Sequence, residues 1–191
     1  MTSTAACKPV MFGMGARHRE AAVAVVVAAG EAGDEVLVAR RATVEGDPWS
    51  GHIALPGGGR EPADRSLEET ARRETLEETG IDLSASACVG TLGIVSPHSA
   101  GAPRISVAPF VFRYEGDRTV TVSEELVEAW WIPVSDLQRA EAWQVTSVVV
   151  RGDVRIEARG FAVGGHVLWG LTERIIDNFL RSWPAPAGTG T

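Results

Sequence analysis

Three glutamates in this chain, Glu74, Glu77 and Glu78, follow shortly after the run Leu55-Pro56-Gly57-Gly58-Gly59. An α-helix turns every ~3.6 residues and rises ~1.5 Å per residue. The spacing i, i+3, i+4 therefore puts all three carboxylates on one helix face. Carboxylates so crowded repel each other unless a cation sits among them. A hard divalent cation such as Mg²⁺ takes oxygen ligands and is usually held by one or two carboxylates together with substrate phosphates. Gly57 and Gly58 can bring backbone close to such a ligand, because they carry no Cβ. An ordinary tight turn is the plainer reading of the same glycines, and a solvated acidic helix face is the plainer reading of the glutamates.

The run Arg73-Glu74-Thr75-Leu76-Glu77-Glu78-Thr79-Gly80-Ile81, behind Leu55-Pro56-Gly57-Gly58, resembles the Nudix box, G-x5-E-x7-R-E-U-x-E-E-x-G-U with U apolar. Thr75 departs from the first U. The upstream half departs further: counting back from Arg73 puts Arg65 where the glutamate belongs, and counting forward from Gly58 puts Asp64 there with one residue added. That extension is similar to the coenzyme A pyrophosphatase-like branch, as is His166-Val167-Leu168-Trp169-Gly170-Leu171-Thr172 near the end. The branch's signature before its P-G-G is not matched throughout. Asp47 stands at an expected arginine, Leu55 at an expected phenylalanine, and Arg41-Ala42 fits only with a shifted spacing.

The resemblance implies a fold, a reaction and a site. The fold is an α/β/α sandwich, a mixed β-sheet between helices; periodicity alone gives only α+β. The reaction is Mg²⁺- or Mn²⁺-dependent hydrolysis of the diphosphate linkage in a nucleoside diphosphate derivative, with coenzyme A or its acyl derivatives as the first candidates. ADP-ribose, nucleotide sugars or nucleoside triphosphates are rival substrates, and a nucleotide-sensing module without turnover is a rival of another class. Glu74 and Glu78 are implied metal ligands, Glu77 completes the coordination or takes a proton from the attacking water, and Arg73 holds the glutamates. Glu124, Glu125 and Glu128 are candidate bases outside the box. Gly57, Gly58 and Arg41 are candidate substrate contacts, and Trp49 lies in a loop where it can stack on a base. Arg104, His52 and His98 are read first as surface or structural groups.

Several elements must position these residues. Ser66 three residues before Glu69 is a capping-box signature and Gly80 a stop, so a helix is expected from Leu67 to Thr79. Strands are expected at Ala21 to Ala29, Glu35 to Arg40, His52 to Leu55, Cys88 to Val95, Ile105 to Tyr114, near Val120, and at Val127 to Ile132. Val134 to Leu137 opens a short helix, and Val145 to Val150 with Val154 to Ala158 flank Arg151-Gly152-Asp153 as a hairpin. Leu168, Leu171, Ile175 and Phe179 form a helical stripe within His166 to Trp183. The domain is thus expected over residues 20–183, between a loose segment 1–19 and a disordered tail 184–191.

Composition bounds the partners. The 191 residues suit one domain, 45% hydrophobic and 23% charged content is ordinary for a globular chain, and a net charge of -7 argues against a nucleic-acid surface. Cys7 and Cys88 make neither a disulfide framework nor a zinc spacing. No run reaches the ~18 apolar residues of a membrane span, and Ala21 to Ala29 lies too far in for a signal peptide, so a cytoplasmic location is the expectation. A homodimer through the Val-rich hairpin around Gly152 is left open.

Overall fold

The computed structural model describes residues 19–97, 104–150 and 154–183. In chain order it contains β1 (Arg19–Gly30), β2 (Gly33–Arg41), β3 (Ile53–Ala54), β4 (Gly57–Gly59), α1 (Leu67–Thr79), β5 (Ala87–Thr91), β6 (Ile105–Tyr114) and β7 (Leu126–Pro133). These are followed by α2 (Val134–Gln138), a 3₁₀ turn (Ala140–Ala142), β8 (Trp143–Val150), β9 (Val154–Val163), β10 (His166–Trp169) and α3 (Gly170–Ser182). The expected segments 1–18 and 184–191, His98, Cys7 and the Arg151-Gly152-Asp153 turn lie outside the described residues.

β1 is the spine of the larger, seven-stranded sheet. Its β-branched and alanine-rich sequence suits a strand covered on both faces. Along one edge it runs parallel to β6 from Arg19↔Ile105 to Ala28↔Tyr114. Along the other it pairs antiparallel first with β4, through Ala21↔Gly59 to Val23↔Gly57, and then with β2, through Val27↔Val36 to Gly30↔Gly33. β7 pairs the outer side of β2, and β5 closes the far edge on β6.

Side chains alternate across β1. Ala22, Ala24, Val26 and Ala28 face α1 in a core shared with Ala71, Ile81, Leu83 and Phe112. Ala21, Val25 and Val27 face the other way, into a core shared with Ile175, Ile176 and Phe179 of α3. The result is an α/β/α sandwich with a mixed sheet, as expected, and with a second, three-stranded sheet β10-β9-β8 beside it.

Four expectations fail locally. No strand forms near Val120; residues 115–123 run as coil, tied by Thr121 N–H to Thr79 O at 2.9 Å and by Ser123 N–H to Glu78 O at 2.9 Å. His166–Trp169 is a strand paired with Gly160–Val163, and the helix starts only at Gly170, whose φ of 68° breaks the run between them. The first strand begins at Arg19, inside the segment expected to be loose. β5 is also shorter than expected, ending at Thr91, with Val95 rejoining β6 through a single bridge to Val107. Among the described residues no helix is long and apolar enough to cross a membrane.

Candidate active site

α1 is fixed at both ends. Ser66 Oγ accepts from Glu69 N–H at 3.1 Å, and Glu69 returns its carboxylate to the Arg65 N–H at 2.7 Å, one residue upstream of the usual capping-box partner. Gly80, at φ 73°, closes the helix with its N–H on Leu76 O. The face turned to the sheet is built from Thr70, Ala71, Thr75, Glu78 and Thr79. Thr75 and Thr79 donate their hydroxyls to Ala71 O and Thr75 O, at 2.7 and 2.6 Å, and so sit buried with their polar atoms satisfied. This is how Thr75 fills a position where the Nudix pattern has an apolar residue.

β4 lies between β1 and α1, and its glycines form a backbone shelf under the acidic helix face. Gly57 N–H donates to Glu78 Oε2 at 2.9 Å. A Cβ on Gly58 would stand 2.6 Å from the Glu74 carboxyl carbon, so the Glu74 carboxylate rests against bare backbone. Arg73 works from the side: Nε and Nη2 donate to the two oxygens of Asp64 at 3.0 Å each, Nη2 also to Gly59 O and Glu74 Oε1, and Nη1 to Glu77 Oε2 at 2.9 Å. Asp64 is fixed in turn by the Glu61 N–H and the Thr70 hydroxyl.

On the opposite side, a bulge in the β2/β7 pairing falls between Arg40 and Arg41. Bulges re-aim side chains. Arg40 pairs with Glu128 at 3.1 Å, whereas Arg41 Nη1 comes to 4.0 Å from Glu78 Oε1 and its Nη2 donates to Asp47 Oδ2 at 3.2 Å. Asp47 Oδ1 accepts the Trp49 N–H.

Burial and charge act together on these groups. Burial pushes the Glu78 carboxyl up to about 7, against the Gly57 N–H and Arg41, which pull it down; Glu74 and Glu125 push it further up. Burial raises Glu74 as well, with Arg73 opposing and Glu77 and Glu125 adding. Asp64 is the contrast: the Arg73 hydrogen bonds and the Glu61 N–H hold its carboxyl well below the usual carboxylate range. Burial lowers His52, whose ring packs on Trp169 at 4.9 Å between centroids.

The structure thus brings together Gly57, Gly58, Glu74, Glu78, Arg73 and Arg41. Glu77 is held outward by Arg73, its side chain 58% exposed. Among the described residues no three His, Cys, Asp or Glu side chains converge closely enough to hold a metal by themselves. The buried Glu78 and the half-buried Glu74, under one partly engaged arginine, nevertheless suit a divalent cation that takes its other ligands from phosphate and water. Trp49 stands on the Arg41 side of the site through its bond to Asp47. Trp130 and Trp131 are partly buried in the two cores, and Arg104 offers its carbonyl to Arg19 N–H at the far end of β1. Glu125 is held near the glutamates by backbone bonds on either side, Ser123 N–H to Glu78 O and Ala42 N–H to its own carbonyl. Sequence reasoning missed the Asp47–Arg41 pair; its signal was an acid standing where the related branch has an arginine.

The chain is similar to several known proteins. An uncharacterized protein of Schizosaccharomyces pombe is 36% identical over 140 residues, 62% of this chain but 43% of its own length, so the match spans under half of that relative. The human protein named mitochondrial coenzyme A diphosphatase is 28% identical over 185 residues, covering 94% of this chain and 77% of its own. In fold, a MutT/nudix family protein of Enterococcus faecalis superposes with a TM-score of 0.58 over 86% of this chain and 62% of its own, at 19% identity. The family model described as the NUDIX domain matches residues 18–151, the whole span from β1 through the acidic helix to β8. With its glycine shelf, its glutamate face and the arginine that braces it all inside that span, the chain belongs to the NUDIX domain family.

Proposed function

We propose that this chain is a Mg²⁺- or Mn²⁺-dependent hydrolase that cleaves the diphosphate linkage of a nucleoside diphosphate derivative, coenzyme A or an acyl-coenzyme A being the first substrates to test. The observation that carries the reading is the pair Glu74 and Glu78, one half-buried and one buried against the Gly57–Gly58 backbone, with their carboxyls raised by desolvation. Hydrolases of this family use divalent metal ions, which neutralise diphosphate charge and activate a coordinated water.

The chain's own contributions follow from its geometry. Glu74 and Glu78 would hold the metal. Arg73 and Asp64 fix the position of Glu74, the Gly57 N–H fixes Glu78, and Arg41 offers donors to a phosphate oxygen. Glu125, close enough to press on both carboxylates, and Glu77, exposed at the rim, are the groups available to take a proton from water. Support for a coenzyme A-type substrate comes from the human relative, named a coenzyme A diphosphatase.

The test is a release assay with Mg²⁺ or Mn²⁺ across coenzyme A, acyl-coenzyme A, ADP-ribose, nucleotide sugars and nucleoside triphosphates, with products separated by chromatography. Release of a phosphopantetheine and an adenosine bisphosphate supports the full reading. Hydrolysis of another member alone keeps the chemistry and replaces the substrate, and failure on every member sinks the reading.

A further inference from the structure

The site is rich in carboxylates. Glu74, Glu77, Glu78 and Glu125 surround it, while the Arg73 guanidinium is shared among Asp64, Glu74, Glu77 and the Gly59 carbonyl. Arg40 is paired with Glu128. Arg41, paired with Asp47, reaches toward the glutamates: its Nε, like that of Arg40, is buried with no hydrogen-bond partner, and its Nη1 stops 4.0 Å from Glu78, beyond hydrogen-bond range. An arginine with two unmet donor positions beside a buried carboxylate is set to receive an anion that bridges to it. A buried donor left unsatisfied is costly until something accepts from it.

Asp47 governs how that arginine is presented. One of its oxygens takes Arg41 Nη2 and the other the Trp49 N–H. Its loop is tied down further, with the Ser50 hydroxyl bonded to both Val44 N–H and Val44 O, and Ser50 N–H on Asp47 O. Asp47 thus holds Arg41 toward Glu78 and at the same time places a fixed negative charge next to its guanidinium.

We propose that Asp47 is a specificity-determining residue: by fixing Arg41 beside Glu78 and adding its own charge there, it admits diphosphates esterified at both ends and disfavours nucleoside triphosphates. A doubly esterified diphosphate carries less negative charge than a triphosphate, and each further phosphate charge near Asp47 meets repulsion in a partly desolvated site. The inference rests on the hydrolase reading above, so its test reads binding as well as turnover.

With Mg²⁺ present, dissociation constants of wild type, Asp47→Asn, Asp47→Glu and Arg41→Met would be measured by calorimetry for methylene-bridged, non-hydrolysable analogues of ADP-ribose and of ATP. Wild type should prefer the ADP-ribose analogue. Asp47→Asn should shift the ratio of the two constants toward the triphosphate by about tenfold, Asp47→Glu should keep the wild-type ratio, and the shift should shrink but persist when Asp47→Asn is made in an Arg41→Met background. Equal loss for both analogues in Asp47→Asn, as a merely structural role would give, overturns the inference. So does a wild type that binds the triphosphate analogue as tightly as the diester, or that binds neither. Tight, selective binding without hydrolysis of any natural compound would instead sink the hydrolase reading and leave the selectivity standing.

Discussion

The guanidinium of Arg73 touches Asp64, Gly59 O, Glu74 and Glu77 at once. Asp64 is the partner that matters most to stability, because it is buried and receives two of those bonds. Asp64→Asn should cost roughly 2–4 kcal/mol at pH 7 in urea unfolding and should loosen Glu74, lowering turnover per folded molecule. The Asp64 carboxyl lies lower in the folded chain than in the unfolded one, so its stabilisation is complete above about pH 4 and is lost as pH falls through the folded value. The gap between variant and wild type should therefore shrink in acid. Glu78 has the opposite sign. With its folded value raised to about 7, the folded state binds the extra proton, so metal-free stability falls as pH rises from about 4.5 to 7. Glu78→Gln should be more stable than wild type by roughly 1–3 kcal/mol at pH 8 without metal, nearly equal at pH 5, and slower in metal-dependent turnover by about a hundredfold or more. Wild-type rates in that variant would refute the site.

The glycine shelf separates fold from function within three residues. Gly57 has φ 150°, and a Cβ there would lie 2.3 Å from Ala22 O, a backbone atom of β1 that cannot yield. Gly57→Ala should therefore lower the melting temperature, with a loss above about 2 kcal/mol. At Gly58 the added methyl meets the Glu74 carboxylate, the movable end of a side chain. Gly58→Ala should keep most of its stability and lose activity by about tenfold or more as Glu74 is displaced. A variant that melts early at Gly58 but stays active would contradict that division. Much of this was legible: Ser66 and Gly80 bound α1 at the expected residues, and Gly57-Gly58 announced a close approach. The glycines read as a turn rather than as β4, since a strand of glycine has no propensity signal and is held by its pairing with β1 and by bonds with α1 side chains. Leu168 extended the helical stripe of Leu171, Ile175 and Phe179 backwards because its period fits, although it is buried from a strand. Asp47 and Asp64 could be seen as acids in unusual places, but their roles depend on where two arginine forks land, which no local pattern encodes.

Across the whole molecule, β1 is shared by two cores that otherwise have no side chain in common. Loss of packing on the α3 side should be felt as loss of global stability while the acidic helix, on the other side, keeps its geometry. Phe179→Ala, at a fully buried position, should cost about 3–5 kcal/mol. At a temperature where the variant remains folded, its metal affinity and turnover should match wild type; a matching loss of metal affinity would show that the two faces are coupled through the sheet.

The coil of residues 115–123 is strapped to the end of α1 by the Thr121 and Ser123 amides, which cap the carbonyls of Thr79 and Glu78. Those two amide protons are therefore expected to exchange with deuterium on the timescale of the helix terminus, though they lie in no regular element. A segment that looks like a free loop would behave as the helix's last turn, and Glu125, two residues after Ser123, would keep its place beside the glutamates only while that turn is closed.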